Sequence, residues 1–152
     1  MKVNIAVARK VLCTILIKKG IAIHDASIIA DEYLEGELQG KASHGLVAFF
    51  SLVKKFVFRT KRSIRVIKKT HAYLFVDAHG ELGFLAGRSV ADTLVTMARK
   101  EGVAIGFIRQ MVTWLRPGSI AHYIAEKGFI ALVMNTGGKA MVAPPGGYEP
   151  MV

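Results

Sequence analysis

The N-terminal part of the chain carries apolar residues at helical spacing. They recur every three or four positions between Asn4 and Lys19, which predicts a helix that ends at Gly20. A second helix is predicted to begin at an Asp25 N-cap and to end at Gly40. The residues expected on its buried stripe are Ile28, Ile29, Leu34 and Leu38, and those expected to face outward are Asp31, Glu32, Glu35 and Glu37.

Between this helix and the next apolar run lies the stretch GELQGKASHGLVAFF, residues 36–50. Ser43 has the short hydroxyl side chain typical of an N-cap, so a third helix is predicted from Gly45 to about Phe56. His44 is then expected in its first turn, accessible to solvent and outside the apolar core. A histidine at such a position either carries out chemistry or makes a local hydrogen bond, and the spacing leaves both interpretations open.

The second part of the chain alternates between β-rich runs and helical spacing. This alternation predicts an α/β layer with right-handed crossovers, preceded by helices. We therefore expect one partial domain over residues 1–152, helical over 1–60 and α/β over 61–152. The predicted elements are a half-buried edge strand Ser63–Lys69, a strand His71–Asp77, a helix Leu85–Lys100, a buried strand Val103–Ile108, a helix Pro117–Lys127 and a strand Phe129–Met134.

The amino-acid composition argues against several classes of protein. Hydrophobic residues make up 52% of the 152 positions, yet no apolar stretch approaches the roughly 18 residues of a membrane span. Cys13 is the only cysteine, which excludes a disulfide framework and a cysteine-based zinc site within one chain. The other histidines show no metal-ligand spacing with carboxylates. We expect a cytoplasmic protein without a metal.

The net charge of +10 raises the question of nucleic-acid binding, because eight basic residues fall between Lys54 and Lys69. Phosphate binding needs a basic face, often with aromatic stacking groups. Edge strands, however, commonly carry lysine to prevent aggregation. We favour the edge-strand interpretation and keep a basic nucleic-acid-binding module as the less favoured alternative.

Five collinear passages, ADEYLEGELQGKASHGLVAFF, FVDAHGELGFLAG, ARKEGVAIGFIR, AEKGFIALVMNTGG and VAPPGGYEP, resemble the type 2 malate/L-lactate dehydrogenase family, whose members include ureidoglycolate dehydrogenase and diketogulonate reductase. The resemblance implies an oxidoreductase of 2-hydroxy or 2-oxo acids that uses NAD or NADP and forms homodimers in full-length relatives. It also implies a non-Rossmann, malate/L-lactate dehydrogenase-like fold, in agreement with the absence of G-x-G-x-x-G after any predicted strand.

The resemblance assigns His44, in the SHG passage, as the catalytic proton donor. Hydride transfer to a 2-oxo carbonyl leaves a developing alkoxide that needs a proton, and imidazole, with a pKa of about 6.5, is suited to supply it near neutral pH. The substrate-binding residues it implies are Ser43, Thr113 and Arg116. The cofactor-binding residues it implies are Asn135, Thr136 and Gly147, in a loop after the last predicted strand, where α/β sheets place ligands.

Three departures from the family pattern affect this assignment. Ala48 stands where relatives often carry an arginine for the substrate carboxylate, and Thr113 stands where they typically carry a histidine. The chain also stops at Val152, where relatives continue into a long second half. We therefore expect a truncated or degenerate copy that is inactive by itself. The alternative is a non-catalytic remnant or a dimerising fragment.

Overall fold

The computed structural model describes residues 3–55 and 64–135. The chain begins with helices and continues into a mixed sheet with its own helices. In chain order the elements are α1 (Ile5–Lys18), α2 (Ile23–Leu38), a 3-10 turn (Ala42–His44), α3 (Leu46–Lys55), β1 (Arg65–Lys69), β2 (Tyr73–Asp77), α4 (Gly83–Glu101), β3 (Ile105–Arg109) and α5 (Pro117–Ala125).

The first two helices form as their apolar spacing predicts, with one correction at a helix start. Asn4 caps α1, because its Oδ1 accepts the N–H of Ala6 at 2.9 Å. Asp25 was expected to cap α2, which is wrong: Ala22 occupies the N-cap without a side-chain hydrogen bond, and Asp25 lies in the first turn. A carboxylate there still interacts favourably with the positive end of the helix dipole.

The helical segment packs around an aromatic centre. Tyr33 of α2 makes edge-to-face contacts with Phe49 of α3 at 5.5 Å and with Phe84 of α4 at 6.2 Å between ring centroids. Leu12 and Leu16 of α1 belong to the same buried cluster. Because Phe84 comes from α4, the helical segment and the sheet segment share this core. Of the predicted α2 stripe, Leu38 is exposed instead of buried.

The described sheet has the strand order β1-β2-β3, with β1 antiparallel and β3 parallel to β2. Helix α4 connects the two parallel strands, and its Val90 and Met97 pack on Leu74 and Val76 of β2. Two burial predictions are wrong. β1 is exposed throughout rather than half-buried, and β3 alternates exposed and half-buried residues rather than being buried; both strands lie at edges of the described sheet.

The predicted strand Phe129–Met134 does not form among the described residues. Its alternate side chains stand in solvent, with Ile130 98%, Leu132 88% and Met134 85% exposed. β-Branched and apolar residues favour an extended backbone, but a strand also needs a neighbour that pairs with its N–H and C=O groups. No described strand pairs with this segment, and the outer side of β3 stays unpaired in the described sheet.

Candidate active-site cleft

A cleft of about 360 Å³ opens between the end of α2, the 3-10 turn and the start of α5. His44 reaches it from the 3-10 turn, and Arg116 reaches it from the residue before α5. The cleft is therefore built from chain segments about seventy residues apart. It is lined by Glu35, Gln39, Lys41, His44, Leu115, Arg116, Pro117, Gly118, Ser119 and His122.

The backbone around His44 is held by α2. The N–H of Lys41 donates to Gly36 O at 2.9 Å, and the N–H of His44 donates to Lys41 O at 2.8 Å. The turn lies so close to α2 that a Cβ on Gly36 would collide with the backbone carbonyl of His44. Glycine at position 36 is thus required by this close approach rather than by an unusual backbone angle.

The prediction that Ser43 caps the third helix is wrong, and so is the placement of His44 inside that helix. α3 begins at Leu46, whose N–H donates to Glu37 Oε2 at 2.9 Å. Glu37, nine residues earlier in α2, therefore satisfies the first free N–H of α3 in place of the serine. Ser43 and His44 are left in the preceding 3-10 turn.

Ser43 instead contacts the histidine ring. Its Oγ lies 2.8 Å from His44 Nδ1, and His44 is half-buried at the cleft, outside the apolar core, as expected. When the serine hydroxyl donates to Nδ1, the neutral ring carries its proton on Nε2. This arrangement gives the ring a fixed orientation and one nitrogen able to donate.

Arg116 is buried and tied to α2 by several contacts. Its Nη1 donates to Gln39 Oε1 at 3.0 Å, and its Nη2 donates to Glu32 O at 3.0 Å and to Glu35 Oε2 at 3.1 Å. Its Nε lies 3.1 Å from Glu32 Oε1, an ion pair without good hydrogen-bond geometry. The guanidinium therefore already has carboxylate partners from the protein itself.

Glu32 was expected to face outward, and this is wrong, since it is only 7% exposed. Burial raises the pKa of its carboxyl, and the charge of Arg116 opposes that rise. A buried carboxylate is tolerated only when it is paired. The pair with Arg116 is what allows a glutamate on the inner side of α2.

The other site residues predicted from the sequence are not all brought to this cleft. Thr113 is half-buried and does not line it; its carbonyl accepts the N–H of Gly83 at 2.6 Å, at the start of α4. Asn135 is exposed, while Thr136 and Gly147 lie outside the described residues. Ala48 packs against the helical core.

Of the basic residues that line the cleft, Lys41 and His122 were not predicted as site residues from the sequence. Lys41 lies three residues before His44, so its proximity to the histidine was a usable signal. His122 was interpreted as a solvated surface histidine, and only the packing of α5 beside α2 shows its place. Lys41 and Arg116 are the cations of the lining, and Glu35 opposes them.

The described residues contain no group of His, Cys, Asp or Glu side chains that could hold a metal ion. In residues 3–55 and 64–135, no helix is long and apolar enough to cross a membrane.

Comparison with known proteins identifies the family to which the chain belongs. A family model for malate/L-lactate dehydrogenase matches residues 3–152. The chain belongs to this family. The malate dehydrogenase of Pyrococcus horikoshii is 30% identical over 138 residues, covering 89% of this chain and 38% of the relative. The 2,3-diketo-L-gulonate reductase of Klebsiella pneumoniae is 26% identical over 153 residues, covering 98% of this chain and 45% of the relative.

Solved structures agree with this family assignment. The structure of the Pyrococcus horikoshii malate dehydrogenase superposes with a TM-score of 0.79 at 25% identity, covering 84% of this chain and 38% of the other. The predicted fold class, α/β with a malate/L-lactate dehydrogenase-like architecture, is confirmed. The chain spans less than half the length of the curated relatives it matches.

Proposed function

We propose that the protein is an oxidoreductase of 2-hydroxy and 2-oxo acids, dependent on NAD or NADP, in which His44 is the catalytic proton donor. The observation that carries this proposal is the His44 ring, in contact with Ser43 Oγ, at a cleft that is also lined by Lys41 and Arg116. The setting is a family whose relatives are named malate dehydrogenase, L-sulfolactate dehydrogenase and 2,3-diketo-L-gulonate reductase.

In the direction of reduction, the protein's own part is to bind the acid and supply a proton. His44 donates its ring proton to the oxygen that was the carbonyl, which becomes the hydroxyl, and the ring recovers a proton from solvent. Ser43 keeps the ring in one orientation through its contact with Nδ1. In the reverse direction the same ring accepts the hydroxyl proton.

The substrate carboxylate is proposed to lie against Lys41 and Arg116, the cations of the cleft that do not carry out proton transfer. Arg116 is already engaged by Glu32 and Glu35, so part of its charge is compensated. Lys41 is exposed at the cleft and supplies a mobile cation. Thr113 as a further substrate contact remains a prediction.

The described residues do not form a nucleotide pocket by themselves. Of the residues expected to contact the cofactor, only Asn135 is described, and it is exposed. NAD or NADP would supply or accept the hydride, and its use here rests on the family alone. We therefore derive no step through the cofactor.

Substrate binding at the cleft tests the proposal directly. We expect pyruvate, oxaloacetate or 2-oxoglutarate to shift the ring signals of His44 in NMR titrations in a saturable way. His24→Ala serves as the matched control, because His24 is exposed at the start of α2 and does not line the cleft. Saturable shifts that persist in His24→Ala and vanish in Lys41→Ala support the proposal, and no binding by any of the three acids contradicts it.

The second candidate is a non-catalytic remnant, which Ala48 favours because it leaves only a methyl group, packed on the core, where relatives often have an arginine. We expect the 152-residue chain by itself to show no turnover. The assay follows NADH and NADPH oxidation with the same acids. Turnover that His44→Ala lowers by about a hundredfold or more would exclude the remnant.

A further inference from the structure

A second cleft, of about 290 Å³, lies where the two parallel strands, β2 and β3, end. In open α/β sheets, the carboxyl ends of parallel strands are the usual position for a ligand. This cleft shares no described lining residue with the His44 cleft. It is lined by Arg65, Val66, Ile67, Asp77, His79 and Arg109.

The strand register brings the charged residues together. Asp77 is the last residue of β2, and it pairs with Arg109, the last residue of β3, on one side and with Arg65, the first residue of β1, on the other. One carboxylate and two guanidinium groups therefore come from neighbouring positions of adjacent strands. Sequence spacing alone does not show this, since the three residues lie far apart along the chain.

The loops beyond the strands are fastened to each other. The N–H of Ala78 donates to Arg109 O at 2.9 Å, and the N–H of Gly80 donates to Gln110 O at 2.7 Å. His79 and Gln110 have positive φ angles of 47° and 55°, a conformation that is uncommon for residues other than glycine. Such strain tends to concentrate at functional sites.

Asp77 is buried and organises the cleft rather than occupying it. Its Oδ1 accepts the backbone N–H of His79 at 2.9 Å, and its Oδ2 accepts Nε–H of Arg109 at 2.7 Å. Both contacts lower the pKa of this carboxyl and keep it ionised. Because Arg109 uses Nε for Asp77, the terminal nitrogens of its guanidinium are left for another partner.

The charges of the cleft do not balance. Within residues 3–55 and 64–135, Arg65 makes no ion pair, and Arg109 makes one, through Nε. The lining thus carries two guanidinium groups and one carboxylate, and His79 Nδ1 lies 3.7 Å from that carboxylate. A purely structural role, tying β2 to β3, accounts for Nε of Arg109, whereas Arg65, on the exposed edge strand β1, adds a second guanidinium group to the lining.

We propose that this cleft binds an oxyanion of the phosphate class, held between Arg65 and Arg109 with His79 at its side. Guanidinium groups present paired N–H donors that match the oxygens of phosphate. The volume lies near the lower end of ligand pockets, which suits inorganic phosphate or a small phosphate ester. This inference is independent of the proposed function of the His44 cleft.

The test is calorimetric titration of the 152-residue chain with inorganic phosphate, and with acetate at the same ionic strength. We expect saturable phosphate binding with a dissociation constant of about a millimolar or tighter. Arg65→Gln should weaken it about tenfold, the usual loss for one charge-assisted contact. Lys69→Gln is the matched control, since Lys69 is exposed on the same strand and does not line the cleft.

The outcomes distinguish a specific phosphate-binding site from non-specific attraction of anions by a positively charged surface. Unsaturable binding, equal losses in Arg65→Gln and Lys69→Gln, or acetate binding as tight as phosphate each overturn the proposal. Adenosine monophosphate, with adenosine as its control, distinguishes the source of the phosphate. Tighter binding of the nucleotide than of phosphate supports an ester as ligand, and equal binding supports free phosphate.

Discussion

At the scale of single residues, the ion pair of Glu32 and Arg116 is the contact on which the shape of the His44 cleft depends. Both side chains are almost fully buried, with exposed fractions of 8% and 6%. Removing one partner of such a pair leaves the other charge unpaired in the protein interior, where water solvates it poorly. The same contacts join α2 to the start of α5, so their loss affects the cleft as well as the stability.

We expect Arg116→Met to lower the free energy of unfolding by roughly 3 kcal/mol, because Glu32 loses the buried counter-charge that Arg116 supplies. Chemical denaturation followed by circular dichroism measures this. Arg9→Met is the control, since Arg9 pairs with Asp31 in an exposed position, where such pairs contribute at most about 1 kcal/mol. The double variant Glu32→Gln/Arg116→Met should recover part of the loss, and a failure to recover would contradict this explanation.

The carboxyl of Asp77 predicts a dependence of stability on pH. Its pKa is lowered in the folded protein, below an ordinary value of 3.8. The unfolded chain therefore binds the proton more readily, and the contribution of Asp77 is present above that value and lost as the pH falls through the lowered pKa. Denaturation between pH 2 and pH 6 should show this loss in the native chain and a smaller one in Asp77→Asn. Equal slopes would refute it.

At the scale of elements, the 3-10 turn depends on how closely it approaches α2. Gly36 sits inside a helix, where alanine would normally stabilise by up to about 1 kcal/mol. Its added methyl would instead collide with the carbonyl of His44. We expect Gly36→Ala to destabilise by about 1 to 3 kcal/mol and to displace the His44 ring signals.

The matched control for that substitution is Gly118→Ala at the start of α5, where a Cβ would meet nothing within 4 Å. It should leave stability unchanged or raise it slightly, because alanine restricts the unfolded chain. Thermal denaturation of both variants separates the two cases. If Gly36→Ala proved as stable as Gly118→Ala, the close approach would not be what fixes the turn.

The helices and strands also show which structural features local sequence patterns can predict. α1, α4 and β2 were predicted to within about two residues, and α3 begins one residue after its predicted start, because apolar spacing and terminal glycines are local signals. The cap of α3 was not predicted, since it comes from Glu37, a residue of another helix. Similarly, the burial of Glu32 depends on Arg116, and Phe129–Met134 depends on a strand partner. Local patterns do not contain these distant contacts.

The residues of the candidate site were also only partly predicted from the sequence. His44 and Arg116 were singled out from motif resemblance, and the structure brings them to one cleft. Lys41 and His122 were missed: the proximity of Lys41 to His44 in the sequence was not used, and an exposed histidine such as His122 has no distinctive local pattern. The roles of Ser43, Thr113 and Asn135 remain predictions.

At the scale of the whole molecule, the described chain combines a high positive charge with uncovered apolar surface. Ile130, Leu132 and Met134 are among the most exposed apolar residues, and long unpaired apolar segments promote association. We expect the 152-residue chain to self-associate in sedimentation experiments, more strongly as salt screens its net charge of +10.

Ile130→Lys/Leu132→Lys should reduce that association, and Val47→Lys, at an exposed position on α3 outside this segment, should reduce it less. Equal effects of the two variants would show that added charge, and not the extended segment, is responsible.

The ion pair across the cleft has a consequence for synthesis on the ribosome. Arg116 emerges 84 residues after Glu32. At translation rates of about 5 to 20 residues per second, Glu32 therefore waits between about 4 and 17 seconds for its partner. During that interval the nascent helices hold a carboxylate on a face that later becomes interior. The N-terminal helices then reach their final packing only after Arg116 leaves the exit tunnel.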